Sequence, residues 1–134
     1  MSAPLHPNLV GTHRVLITGS RDWTDHIAIH EALAVVCSER TGRLVIVHGA
    51  CPRGADAIAS RWVDNFGDQY RSVEERHPAN WQINGKRAGF IRNAHMVNLG
   101  ADICLAFIRN GSRGATHTAD LAEKAGIPTR RWTA

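Results

Sequence analysis

The feature that most constrains this chain is the stretch Val15-Leu16-Ile17-Thr18-Gly19-Ser20-Arg21-Asp22-Trp23. An apolar run rich in β-branched residues ends abruptly in Gly-Ser-Arg, and an amphipathic helical pattern begins at about Thr24. A buried strand that enters a glycine turn and then a helix is how α/β proteins present backbone N–H groups to a phosphate. The same grammar returns at Leu44-Val45-Ile46-Val47-His48-Gly49, ahead of Arg53-Gly54-Ala55-Asp56. It returns again at Ile103-Cys104-Leu105-Ala106-Phe107-Ile108, ahead of Gly111-Ser112-Arg113-Gly114. A single loop of this kind is an ordinary turn. Three in one small chain, each with an arginine in or beside it, point to an anion-binding α/β domain.

Strands are expected near 14–18, 44–48, 71–76, 102–108 and 128–132, and helices near 24–40, 54–66, 86–99 and 114–125. Strict alternation implies an α/β fold: a Rossmann-like, doubly wound parallel sheet of about five strands with helices on both faces. The near-continuous apolar strands agree, because parallel strands are covered on both sides. In the first helix Ile29, Ala32, Leu33, Val36 and Cys37 make a core stripe. In the second the stripe is Ala55, Ile58, Ala59, Trp62, Val63 and Phe66. In the third it reads Phe90, Ile91, Ala94 and Val97, with Ala88, Arg92, Met96 and Leu99 clustering on another side. A second apolar face leads us to expect a homo-oligomer, a dimer or larger, formed through the 86–99 helix.

The 134 residues suit one domain, expected over 12–134, with residues 1–11 as a flexible lead-in and no signal peptide. No apolar run approaches the ~20 residues of a membrane helix, so we expect no membrane partner and a cytoplasmic location. The chain carries 16 basic and 12 acidic residues, net +4, but only two lysines, Lys86 and Lys124. Arginines near turns suit bidentate phosphate recognition better than a diffuse nucleic-acid track. Nucleic acid, in the form of single-stranded DNA, is therefore the less favoured partner. Three cysteines and eight histidines show no metal-ligand spacing, so neither a metal nor a cofactor is expected. Cys51 sits in a glycine-rich loop with no base adjacent in sequence, a weak case for a catalytic thiol.

In an open parallel sheet, ligands sit outside the carboxyl ends of the strands where strand order reverses. For the order 3-2-1-4-5 that point lies between the first and fourth strands. The candidate ligand residues there are Gly19, Ser20, Arg21 and Asp22 in the first loop, and Gly49, Ala50, Arg53, Gly54 and Asp56 in the second. Gly111, Ser112, Arg113, Gly114 and Ala115 complete the set from the third. Gly19 does not open a G-x-G-x-x-G motif, and Gly85-Lys86 lacks the upstream glycine of a Walker loop. Asp56, near a helix start, has a capping role as its simplest reading. Trp23 and Trp81 are candidate base-stacking surfaces, with core packing open for Trp23.

Four ordered blocks carry a resemblance. They are Ile17-Thr18-Gly19-Ser20-Arg21-Asp22-Trp23, and His48-Gly49-Ala50-Cys51-Pro52-Arg53-Gly54-Ala55-Asp56. The others are Gly85-Lys86-Arg87-Ala88-Gly89-Phe90-Ile91-Arg92-Asn93 with Met96, and Ala106-Phe107 with Gly111-Ser112-Arg113-Gly114. Together they resemble the YspA-type branch of the SLOG superfamily. That superfamily includes the Lonely Guy phosphoribohydrolases and DNA-processing proteins. The resemblance implies a Rossmann-like sheet and a nucleotide or nucleotide-derived ligand. It also adds Arg92 and Asn93 to the candidate ligand residues, since Arg92-Asn93-Ala94-His95-Met96 is similar to the R-x-x-x-M motif of Lonely Guy enzymes. Their second motif, P-G-G-x-G-T-x-x-E, is matched only in part by residues 111–118, and Thr118 stands where that motif has its catalytic Glu. The expected activity is therefore nucleotide binding rather than catalysis. The alternative is N-glycosidic cleavage, with Asp22 or Asp56 as the candidate catalytic carboxylate.

Overall fold

A computed structural model describes residues 11–134, so nearly all of the expected lead-in, 1–11, lies outside the described residues. Five strands alternate with helices: β1 (Thr12–Gly19), β2 (Arg43–His48), β3 (Ser72–Arg76), β4 (Ile103–Ile108) and β5 (Thr129–Thr133). All are parallel, in the order β3-β2-β1-β4-β5. The helices are α1 (His26–Glu39), α2 (Ala55–Tyr70), the short α3 (Trp81–Asn84), α4 (Ala88–Asn98) and α5 (Arg113–Lys124), with a 3₁₀ turn, Gly85–Arg87, leading into α4.

Alternation along each strand sorts the core into two layers, because successive side chains leave a strand on opposite faces. Val15 and Ile17 of β1 join Ile103, Leu105 and Phe107 of β4 beneath α1 and α2. Leu16, Val47 and Cys104 pack with Met96 and Val97 of α4 and Ala122 of α5 on the other face. Ala106 and Ile108 extend that second face against Ala115 and Ala119. The small residues on α5 bring that helix close to the middle of the sheet.

Three expectations need correction. Helix α2 runs on to Tyr70 and ends at Arg71 in the left-handed conformation (φ 54°), while Phe66 has emerged from the core stripe. The helix expected from 86 begins at Ala88, after a 3₁₀ turn and the short α3, which Asn80 caps through a bond from the Ile83 amide. The stripe assigned to the third helix is also rotated. Its buried residues are Ala88, Asn93, Met96 and Val97, whereas Phe90, Ile91 and Leu99 are exposed. Helical periodicity ranks faces by apolarity alone. Here α5 and the sheet meet the face carrying Ala88 and Met96, so these two belong to the core and not to a free second face.

Candidate functional site

Between β1 and β4, where the strand order reverses, the loops at the carboxyl ends enclose a cleft of about 570 Å³, within the range of small-molecule sites. Its floor depends on glycine. A Cβ on Gly19 would collide with the Ala55 side chain and lie 2.9 Å from the Phe107 carbonyl. Gly54 (φ +76°) packs against the Ser20 carbonyl, which accepts bonds from Ala55 N–H at 3.3 Å and Trp23 N–H at 3.2 Å. The first two loops are thereby seated on each other. The third joins through Ser20, whose Oγ accepts from Arg109 N–H at 2.7 Å.

Twelve of the sixteen sequence-derived ligand residues line this cleft. From the first loop come Gly19, Ser20, Arg21 and Asp22; from the second, Gly49, Arg53 and Asp56. Arg92 and Asn93 come from α4, and Ser112, Gly114 and Ala115 from the start of α5. Four do not line it. Ala50 lines an adjoining hollow of about 360 Å³. Gly54 lies behind the wall as a spacer, and Gly111 (φ +61°) makes an exposed turn. Arg113 is exposed on the first turn of α5, outside the cleft.

The basic residue from the third loop is instead Arg109, directly after β4, whose guanidinium donates to the Asp22 carbonyl at 2.9 Å. Its position at the carboxyl end of a central strand is the signal that could have found it. Lys86, Trp81, Phe90 and Met96 also line the cleft. Trp81 is 49% exposed, and the Arg21 guanidinium lies 5.7 Å from its ring centre. The other stacking candidate, Trp23, is a core residue packed on Phe107.

The second loop is held from beneath. His48 is buried and accepts the Ala50 N–H on Nδ1 at 3.0 Å, which leaves Nε2 to donate to Glu74 Oε1 at 2.6 Å. Asp56 does not cap its own helix: its Oδ2 accepts from Cys51 N–H at 3.2 Å, across the loop. Burial pushes the Asp56 carboxyl above the usual carboxylate range, against the pull of His48, the Cys51 amide and Arg92. Arg92 bonds the Gly49 carbonyl at 2.5 Å, the His77 carbonyl at 3.3 Å and Asn93 Oδ1 at 2.7 Å. A side chain on Gly49 would strike that guanidinium. Burial lowers the Arg92 pKa from its ordinary value, with Asp56 opposing the shift.

The start of α5 faces the cleft, and Ser112, although a good capping residue, makes no capping bond to it; at the start of α2 the Ala55 N–H already donates to the Ser20 carbonyl. First-turn amides have no acceptor inside their own helix, and the positive end of the helix dipole adds to their attraction for an anion. Five cations, Arg21, Arg53, Lys86, Arg92 and Arg109, line the cleft with two carboxylates, Asp22 and Asp56. None of the five forms an ion pair among the described residues. Thr118 is fully buried, donates to the Gly114 carbonyl at 3.1 Å and does not reach the cleft. No cluster of ligating side chains able to hold a metal occurs among the described residues, and none of their helices is long and apolar enough to cross a membrane.

Comparison with known proteins adds two findings. A family model described as "YspA, cpYpsA-related SLOG family" matches residues 13–83. The gene 61 protein of Mycobacterium phage D29 is 47% identical over 116 residues, covering 86% of this chain and 92% of the phage protein. No solved structure matches the chain.

Proposed function

The chain belongs to the YspA, cpYpsA-related SLOG family, and from that premise we propose that it binds a nucleotide or nucleotide derivative, with the phosphate held at the carboxyl edge of the sheet. Family membership suggests nucleotide-related binding at the coarse level. The observation that carries the finer reading is the set of five cations that form no ion pair among the described residues, gathered around the uncapped start of α5. Unneutralised positive charge at a cleft is costly to assemble and is offset when an anion arrives. Arg21, Arg92 and Arg109 neutralise the phosphate, the first-turn amides of α5 at Gly114 and Ala115 donate to it, and the exposed face of Trp81 stacks a base.

Thermal denaturation with AMP, GMP, CMP and UMP, each against its nucleoside, tests this reading. At least one monophosphate should raise Tm well beyond its nucleoside. Equal responses of nucleotide and nucleoside, or no response at all, would refute the phosphate site.

A second reading, cleavage of an N-glycosidic bond, is favoured by one observation: the cleft holds a buried carboxylate, Asp56. A carboxylate beside the ribose would stabilise the positive charge that develops there. Release of free base from the same monophosphates, abolished by Asp56→Asn, would select this reading.

A further inference from the structure

The peptide that joins Gly49 to Ala50 is held at both ends by ionisable side chains. Its carbonyl, on Gly49, accepts from Arg92 Nη1, and its N–H, on Ala50, donates to His48 Nδ1 at 3.0 Å. Ala50 sits in the left-handed region at φ 58°, which a residue with a Cβ avoids unless its surroundings impose it. The bond to His48 tolerates one form of the ring. Nδ1 accepts only while it carries no proton, and Nε2 carries the proton that it donates to Glu74 at 2.6 Å. A further proton, taken up at Nδ1, turns the acceptor into a donor that faces the Ala50 N–H, and that bond is lost.

Charged groups face the buried His48 ring from three elements. From β3, Glu74 favours an added positive charge, and Arg76, bonded to Glu74 at 3.0 Å, opposes it. From α2, the Asp56 carboxylate attracts it, while Ser60 beside Arg76 is neutral. From α4, Arg92 opposes it across the peptide. Glu74 alone of these is bonded to the ring. The protonated ring therefore keeps its partner at Nε2 and loses only the one at Nδ1.

We infer that the Gly49–Ala50 peptide is a two-position switch thrown by protonation of His48, and that it sets whether Arg92 is tied to the second loop. In this structure the ring is neutral and Arg92 Nη1 is bound to the Gly49 carbonyl. With the ring protonated the peptide turns over. Gly49, without a Cβ, absorbs the rotation on one side, and Ala50 leaves the left-handed region on the other. The N–H and the carbonyl belong to one rigid plane, so the carbonyl leaves Arg92 as the N–H leaves His48. Arg92 keeps its bonds to Asn93 and to the His77 carbonyl, and its released N–H turns to the cleft that it lines. Mild acid thus adds a charged donor to the cleft, and neutral pH withdraws it into the loop.

Nuclear magnetic resonance on the nitrogen-labelled full chain tests the switch with no ligand added, from about pH 8 down to about pH 5, the range in which histidines titrate. The Ala50 amide and the Arg92 side-chain N–H resonances should change together, on the same curve as the ring nitrogens of His48. An Ala50 amide that stays unchanged, or that changes where the His48 ring does not, would overturn the proposal. So would an Arg92 resonance that does not follow Ala50. His48→Asn offers the Ala50 N–H an oxygen acceptor that takes up no proton in this range. In that variant the Ala50 transition should vanish, and its persistence would count against His48 as the trigger. Should His48→Asn fail to fold, Glu74→Gln removes the negative charge bonded to the ring and should move the transition to lower pH. A transition left in place, or moved to higher pH, would overturn the inference.

Discussion

At the scale of single residues, the cleft is built from close approaches that allow little substitution. Gly19 touches Ala55 and Phe107 so closely that one methyl group must move a helix start or a strand. Overpacking of this kind typically costs about 1–3 kcal/mol. Gly19→Ala should lower the urea midpoint accordingly, while Gly114→Ala, with open space around its Cα, should not. Arg92 has two tasks. Two of its three hydrogen bonds tie α4 to the second loop and to the residue after β3, the third stays within α4 at Asn93, and its charge faces the cleft. Reading the helix from sequence puts Arg92 off the core stripe, where truncation costs little. The structure predicts otherwise: Arg92→Ala should cost about 1–3 kcal/mol, because the carbonyls it satisfies lose a charged donor. It should also weaken binding of a nucleoside monophosphate by tenfold or more, on the order of one charge-assisted contact. Arg92→Lys should recover part of the affinity and little of the stability, since a lysine cannot reproduce the fork. Chemical denaturation and calorimetry on the two variants check both halves.

At the scale of elements, the sheet is clipped at its edge by a device with no signature in the sequence. Arg14 on β1 reaches over β2 to form two bonds with Glu75 on β3, at 2.8 and 2.7 Å. The same guanidinium donates to the Gly100 carbonyl at 2.9 Å, in the turn between α4 and β4. His77 adds a further bond to Glu75 at 2.7 Å. Arg14, and after it His77, holds the Glu75 carboxyl well down, at about 2. An unfolded Glu titrates near ~4.3. The folded pKa is therefore depressed, so the stability it brings is fully present above about pH 4.3 and is lost as pH falls through about 2. Glu75→Gln should flatten the stability curve across that window and leave its slope above about pH 5 unchanged. Because the pair is partly exposed, the difference should shrink in high salt. Denaturant titrations of wild type and variant at stepped pH measure this.

At the scale of the whole molecule, half of the large exposed apolar residues lie on the layer that carries α3 and α4, and most of the others lie on α1 and α2. Trp81, Ile83, Phe90, Ile91 and Leu99 all lie on the α3 and α4 layer, Ile83 at 78% exposure. Phe90 also packs edge-on against His117 of α5, which leaves Ile91 and Leu99 as the free apolar residues of α4 itself. We propose that copies of the chain associate through this face, on a surface shifted from the one periodicity suggests. Ile91→Glu combined with Leu99→Glu should bring the light-scattering mass of the wild-type oligomer down to that of a monomer, with the far-ultraviolet dichroism unchanged. A wild-type chain that is monomeric at high concentration would end the idea.

The sequence alone determined the strand and helix succession, the parallel sheet and the three glycine loops, because these rest on local alternation, backbone freedom and turn chemistry. It also placed most of the cleft, since a parallel sheet with order 3-2-1-4-5 brings the loops after β1, β2 and β4 to one edge whatever their side chains are. Tertiary structure decided which side chains reach that edge. Arg113 and Arg109 lie four residues apart in the same loop region, yet only Arg109 lines the cleft, because Gly111 turns the chain at positive φ between them. Asp56 could have capped its own helix; the path of the 49–51 loop gave it the Cys51 amide instead. Phe90 and Met96 exchanged their expected roles once α5 chose which face of α4 to cover. Each of these choices depends on the meeting of segments remote in sequence, and neither periodicity nor motif spacing encodes such a meeting.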